Sequence, residues 1–379
     1  VAGQQRLLRL LPKSRQIALI MIKNSNTPRG IIEGFFGRSW SWEERASYTQ
    51  FLALNGYDFY IYAPKGDENL RMQWQRDWEA SEKRKLQHLR KIYRDAAIEF
   101  GIGLSPHEIY LHSQQDQRPQ LARRIQQINE LEPDILCILF DDMRGDIPNL
   151  AQLQIDIAHQ AAEISNARKI IFCPTYYSFD PILEKVFGAM PVNYWQTFAR
   201  QLDGSIDMFW TGEKVCSTAY SEAHLANISE LIGRKPFLWD NYPVNDGAVK
   251  SNLLHLRAFD KSHSQLTDKI AGHAVNPMNQ AQLSKLALAS LNHAYEKKNN
   301  YDPAQSFVDI SLALCGERLG QQLQDDIHAL QDLGLQKLSN AEKNTLRNTY
   351  QQFLPNPFAQ EILDWLNGVY TFDPACLTE

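Results

Sequence analysis

Short apolar runs recur along the chain with polar, helix-patterned segments between them, and this alternation predicts a parallel α/β fold. The strand-like runs cover residues 30–36, 59–63, 102–105, 135–140, 170–173, 207–210, 237–239 and 270–275. Between them the helix grammar is explicit. Ser41 and Glu44 form a capping box ahead of Tyr48, Phe51 and Leu52, and Asn55-Gly56 closes that helix. Leu121, Ile125, Ile128 and Leu131 stripe a further helix that Pro133 stops. Eight β/α units in a span of about 250 residues predict a TIM (β/α)8 barrel rather than an open sheet.

Past residue 280 the strand signal ends and only helical periodicity remains. Leu283, Leu286, Leu288 and Leu291 mark one helix, Ile327, Leu330, Leu333 and Leu335 mark an apolar face around Gly334, and Tyr301-Asp302-Pro303 opens a segment at 307–314. Pro355 and Pro357 break the chain before an amphipathic stretch at 362–370. The expected organisation is an N-terminal extension at 1–27, a barrel at 28–280 and a helical region at 281–379 packed on it. The chain starts at Val1, and Met21-Ile22-Lys23-Asn24 reads as an ordinary start, so the residues before it are read as vector-derived or as an unstructured extension.

In a barrel of this kind ligands bind at the carboxyl ends of the strands, so the residues that follow each run carry the functional information. The run 135–140 ends in Asp141-Asp142, two adjacent acids after a buried strand. Repulsion at such range raises one pKa of the pair and leaves a proton donor beside an anion. The other ends supply Glu33-Gly34, Pro64-Lys65, Thr175-Tyr176-Tyr177, Trp210-Thr211-Gly212, Trp239-Asp240-Asn241 with Asn245-Asp246, and Asn276-Pro277. Amides and carboxylates among Trp and Tyr faces suit a sugar. Phosphate is disfavoured by the acidic balance and the missing glycine-rich loop.

Composition narrows the class further. With 379 residues, 44% of them hydrophobic, the chain can bury a large core, and a net charge of −5 gives no electrostatic case for nucleic acid. The cations at Lys83-Arg84-Lys85 are offset by Glu79 and Glu82 and read as a solvated helix face. The five cysteines show no metal spacing, and Cys137 and Cys173 fall in apolar runs as small buried thiols, which favours a reducing, cytoplasmic setting while leaving secretion open. No stretch approaches the ~18 apolar residues of a membrane span, so no membrane partner is expected.

These motifs resemble the family 84 glycoside hydrolases, the retaining β-N-acetylglucosaminidases that include the protein O-GlcNAcases. The resemblance is carried by the segments 29–37, Tyr62-Ala63-Pro64-Lys65, Phe140-Asp141-Asp142, Phe172-Cys173-Pro174-Thr175, Trp210-Thr211-Gly212, 239–246 and Asn276-Pro277, in family order. It implies exo-acting removal of terminal β-linked GlcNAc, from a glycan or from Ser or Thr of a glycoprotein, by substrate-assisted catalysis without a cofactor. The substrate's own acetamido oxygen attacks the anomeric carbon and forms an oxazoline. By the resemblance Asp141 orients that acetamide, and Asp142 acts first as general acid and then as general base. Lys65 and the Gly34 backbone would hold ring hydroxyls, and Asp246 those at carbons 4 and 6. Asn241 and Asn276 would bind the sugar or its acetamide, Tyr177 would steady the acetamido carbonyl, and Trp239 and Cys173 would wall the acetyl methyl. Phe36 stands where family members often carry Tyr.

Other readings compete. Either acid could cap the following helix, Lys65 could be a solvated loop cation, Trp210 could be packing, and Asn241 and Asn245 could be turn formers around Pro243. None of the ten histidines is assigned to a metal. A metal-dependent barrel enzyme would instead use Asp141, Asp142 and Asp146 on Mg²⁺. A third reading is a catalytically silent GlcNAc-binding protein. The helices beyond 280 either shape the groove beyond the sugar, support a homodimer, or are structural only.

Overall fold

Eight parallel strands close on themselves in the computed structural model, which describes residues 27–111 and 114–378. They are β1 (Arg29–Glu33), β2 (Phe59–Tyr62), β3 (Glu99–Leu104), β4 (Ile135–Leu139), β5 (Lys169–Cys173), β6 (Asp207–Trp210), β7 (Phe237–Asp240) and β8 (Gly272–Val275). Each pairs with the next, and β8 returns to β1 with Ile31 opposite Val275, so no edge is left open. The fold is the expected TIM barrel. The reading of residues 1–26 as an extension lies outside the described residues.

All eight predicted strands are present, with ends displaced by a few residues. The displacements reach three residues: β1 ends at Glu33 rather than Phe36, and β3 begins at Glu99 rather than Ile102 because Gly101 and Gly103 dilute the apolar signal. Those glycines serve close packing. A Cβ on Gly103 would lie 2.6 Å from Ala63 Cβ and 2.8 Å from Leu139 Cδ1.

The helices α1 (Trp42–Leu54), α2 (Ala80–Asp95), α3 (Gln114–Asn129), α4 (Leu150–Ile164), α5 (Ile182–Phe187), α6 (Tyr194–Gln201) and α7 (Glu222–Ile232) follow successive strands. The predicted capping box opens α1, with Glu44 N donating to Ser41 Oγ (3.1 Å) and Ser41 N to the Glu44 carboxylate. Helix α8 (Ala281–Lys297) follows β8 and is buried along most of its length. Tyr48 and Tyr57 donate to its Ala281 and Leu288 carbonyls at 2.6 and 2.7 Å, which fixes it against the first β/α unit.

The remaining α-helices among the described residues are α9 (Pro303–Cys315), α10 (Glu317–Ile327), α11 (Gly334–Lys337), α12 (Asn340–Gln351) and α13 (Pro357–Leu366). Glu361 on α13 reaches the open amino end of α8, where Gln282 N and Leu283 N donate to its carboxylate at 2.8–3.0 Å. Beyond α13 the chain turns back across the loop that follows β1, with Tyr370 beneath the Arg38 guanidinium (5.1 Å).

Candidate active site

Strand β4 delivers the acid pair. Its backbone runs on through Phe140, whose N–H donates to Cys173 O (2.9 Å) and whose carbonyl accepts from Thr175 Oγ1 (2.9 Å), before the chain turns at Asp142. Asp142 has φ 60°, a left-handed conformation uncommon for a residue with a side chain and best tolerated by Asn and Asp. The turn swings both carboxylates into one cavity of about 460 Å³, counted with its open mouth, at the carboxyl end of the barrel.

Lys65, carried past the end of β2 by Ala63-Pro64, sits between the two acids. Its Nζ ion-pairs with Asp141 Oδ2 and lies 3.3 Å from Asp142 Oδ2, all three side chains being buried. An ammonium has three protons, so one remains for a ligand hydroxyl. Burial works against the charge on Lys65, but the two carboxylates outweigh it and its pKa is raised. Burial pushes the Asp142 carboxyl above the usual carboxylate range; Lys65 opposes this and the Asp141 charge adds to it. The other oxygen of Asp141, Oδ1, is buried and has no hydrogen-bond partner among the described residues. An acceptor buried without a donor costs about 1–3 kcal/mol, so this oxygen is set up to receive an N–H or O–H from a ligand.

The opposite wall comes from β1, β7 and β8. Gly34 N donates to Asn276 Oδ1 (3.2 Å), Asn276 Nδ2 to Asn241 Oδ1 (3.1 Å), and Trp239 Nε1 to the same oxygen (3.0 Å). Asn241 Nδ2 in turn donates to Val215 O (2.9 Å). The chain of amides holds the indole of Trp239 close against Gly34, where a Cβ would meet Trp239 Cζ2 at 2.4 Å. Asp246 accepts from Phe36 N (2.8 Å), and burial pushes its pKa up to about 6. Behind this wall Asp240 is buried and accepts from Nε2 of His263 (2.8 Å) and of His273 (3.0 Å). Burial opposes its charge, but the two imidazoles prevail and hold its pKa at about 2.

Cys173 and Tyr177 close the side next to the acids, both buried, with burial raising the pKa of each. The ten residues to which the resemblance gives a role line one cavity: Gly34, Lys65, Asp141, Asp142, Cys173, Tyr177, Trp239, Asn241, Asp246 and Asn276. Phe36 lines it too, with no hydroxyl, its ring 5.6 Å from Lys65 Nζ. Glu33 turns the other way and is bound by Arg45 of α1 through two bonds of 2.7 and 2.8 Å. Trp210 is packing, fully buried with Nε1 donating to His224 Nε2 (2.9 Å).

The Mg²⁺ arrangement is not assembled. Asp146 pairs with Arg144 on the surface (2.5 Å), and the Lys65 ammonium occupies the position between Asp141 and Asp142 that a cation would need. Asp240, His263 and His273 bring three ligand-type atoms within 4.8 Å of one another, a grouping the sequence did not suggest because their spacing of 23 and 10 residues matches no metal motif. Both imidazoles bond Asp240 Oδ2 through Nε2, and their Nδ1 atoms are engaged by Asp260 O and Tyr295 OH.

Several liners were missed. Val215 and Cys216 lie in the loop after β6, and Cys376 and Thr378 come from beyond α13. Val244 falls inside a recognised motif without having been singled out. Asn279 holds the β1 loop through Phe36 O (2.8 Å) and Arg38 O (2.9 Å). Its place just after Asn276-Pro277 was the available signal.

The chain is 26% identical to Protein O-GlcNAcase of Rattus norvegicus and of Mus musculus over 315 residues, 79% of this chain. It spans about a third (34%) of the length of these curated relatives. A mutant of the O-GlcNAc hydrolase of Thermobaculum terrenum superposes with a TM-score of 0.73 at 27% identity, over 90% of this chain and 75% of that one. The protein named CpGH84B shares the fold, with a TM-score of 0.71 at 21% identity over 90% of this chain and 66% of its own. The family model described as beta-N-acetylglucosaminidase matches residues 29–331, and the chain belongs to that family, the family 84 glycoside hydrolases its motifs resemble.

Proposed function

We propose that this chain is a retaining exo-β-N-acetylglucosaminidase that works through the acetamido group of its substrate. The observation that carries this reading is the half-used carboxylate of Asp141, a residue of the cavity lining: one oxygen is bound to Lys65, and the other is buried with no hydrogen-bond partner among the described residues. An N–H of a 2-acetamido sugar is the donor such an oxygen needs.

In this reading the ionised Asp141 accepts the acetamido N–H, turns the carbonyl oxygen toward the anomeric carbon and offsets the charge that grows on the ring. Tyr177 donates to that carbonyl, and Cys173 and Trp239 enclose the methyl. Asp142, whose pKa burial raises, protonates the departing glycosidic oxygen. The resulting carboxylate then takes a proton from the water that opens the oxazoline. Two inversions at one carbon give net retention. Asp246, the third proton of Lys65 and the Asn276–Gly34 pair fix the ring hydroxyls.

The acceptor side follows from the relatives, two of which are named for O-GlcNAc on protein. Ser- or Thr-linked GlcNAc is accordingly the proposed natural substrate. The deciding experiment is hydrolysis of 4-nitrophenyl β-N-acetylglucosaminide, followed by NMR for the product anomer, with and without a thiazoline mimic of the oxazoline. Release of the β-anomer and competitive inhibition are expected. An intact substrate with folded protein, or an α-anomer product, would overturn the reading; binding without turnover would indicate the silent GlcNAc-binding alternative.

A further inference from the structure

The chain beyond α13 returns to the cavity and contributes Cys376 and Thr378 to its lining. Tyr370 is anchored under Arg38, and Thr371 O lies within 3.4 Å of the position a Cβ on Gly37 would take, so the segment enters on the β1 side. It turns at Asp373, which accepts from Ala375 N through its side chain (2.9 Å) and from Cys376 N through its carbonyl (3.0 Å). From there it reaches the opposite, β5 side, where Tyr177 OH donates to Thr378 Oγ1 at 3.4 Å. Cys376 and Thr378 point into the cavity with Asp141 and Asp142, while Phe372 and Leu377 are exposed to solvent at 36% and 54%.

We infer that residues 372–378 form a displaceable strap across the mouth of the cavity, with Thr378 holding the Tyr177 hydroxyl that an incoming acetamide must engage. This inference rests on the active-site reading above. Tyr177 has one hydroxyl proton, so Thr378 and a substrate carbonyl cannot both receive it. A threonine side chain also carries a hydroxyl and a methyl on one carbon, which makes it a small counterpart of the acetyl group it displaces. The contact is long for an O–H···O bond, and large side chains of the strap stay in water, so the strap is held weakly and yields to substrate. Occupancy of this kind acts as competitive self-inhibition. It divides the intrinsic dissociation constant by the fraction of molecules with the strap open, which weakens apparent affinity, and leaves the rate at saturation alone.

The test replaces residues 372–378 in the full chain by a Gly/Ser segment of equal length and takes two readouts on both proteins. The first is the rate at which iodoacetamide labels the half-buried cavity thiol Cys216, followed by peptide mass spectrometry, which does not depend on activity. The second is KM and kcat on the aryl glycoside. We expect labelling to accelerate and KM to fall, each by about three- to tenfold, with kcat within twofold of wild type. A second measurement on the unaltered chain is hydrogen exchange of the 371–378 peptide, which should quicken when the thiazoline binds. Unchanged labelling and unchanged KM would remove the strap and leave the hydrolase intact; a raised KM, or exchange that slows on binding, would make the segment a closing lid and overturn displacement. Faster Cys216 labelling in the variant than in the wild type, with neither protein hydrolysing the glycoside, would uphold the strap and sink the hydrolase reading.

Discussion

Replacing Asp142 by Asn separates the two proton transfers assigned to that residue. Asn keeps the volume and tolerates the left-handed backbone at φ 60°, so the turn survives. It also removes no stabilising charge. Burial raises the folded pKa of Asp142 above its unfolded value, so its ionised form weakens the fold as pH rises, and a neutral amide does not lower stability at pH 7. Alanine at the same place would add about 1–2 kcal/mol of backbone strain and confuse the result. General acid help contributes about 10²–10⁴-fold, roughly 2.7–5.4 kcal/mol, to a leaving group that needs it. A GlcNAc-bearing Ser or Thr peptide should therefore lose kcat/KM by about 10²–10⁴-fold, whereas 4-nitrophenyl glycoside, whose departure needs little protonation, should lose less than about tenfold.

The second step behaves differently. Opening of the oxazoline by water still needs a base, so kcat on the aryl glycoside should fall even where kcat/KM does not. Azide needs no deprotonation; it should restore kcat and give the β-glycosyl azide. The assay is initial rates on the two substrates at fixed pH, with azide titrated and product identified by NMR. Equal losses on both substrates, or failure of azide to raise kcat, would refute the acid–base role of Asp142.

Three further expectations follow from single contacts. Lengthening the substrate's N-acyl chain presses against buried Cys173 and Trp239 and should lower kcat/KM at about 1–3 kcal/mol per methylene; a flat series of acyl glycosides would make the amide a bystander. Gly34→Ala drives a methyl into the Trp239 ring and should cost about 1–3 kcal/mol in urea unfolding as well as activity; an unchanged unfolding midpoint would show that the indole is free to move. Burial pushes Glu361 up to about 8, far above its unfolded value, so the wild type should lose stability as pH rises from about 4.5 to 8, and Glu361→Gln, which keeps an acceptor for the α8 amides, should flatten that slope; parallel Tm–pH curves for the two proteins would contradict the burial argument.

The barrel was legible because its strands are buried on both faces and read as short apolar runs, and because helices such as α1 announce their ends by capping chemistry. Where side-chain signal was absent, the boundary slipped, as at Gly101 and Gly103 of β3. The site was legible for a related reason: a parallel barrel sends every strand's next residue to one face, so Lys65, Asp141, Trp239 and Asn276, far apart in sequence, line one cavity. Direction was not. Glu33 and Gly34 are neighbours, yet one faces Arg45 and the other the cavity, and only the pleat of β1 decides which. Thr378 and Cys376 were illegible because their placement depends on the path of the chain beyond α13, which no local periodicity encodes. The buried Asp240 network was equally hidden, since hydrogen-bond closure among distant residues leaves no spacing signature.

Lys65 links the two acids, and its removal tests whether they function as a charge-balanced set. Its ammonium contacts Asp141 and lies 3.3 Å from Asp142 in a buried site, where no solvent counterion can replace it. In Lys65→Met two adjacent carboxylates face each other without compensation, and such pairs hold a shared proton to higher pH. The mechanism needs one of them ionised before substrate arrives. The acid limb of the kcat/KM profile should thus move upward by about one to three pH units, the range typical of a close opposite charge, and activity at neutral pH should fall while part of it returns on alkalinisation. A merely hydroxyl-binding lysine would raise KM with the pH profile in place. Profiles of wild type and variant on the aryl glycoside distinguish the two, and a limb that stays put or moves to lower pH would show that the cation does not govern the ionisation of the pair.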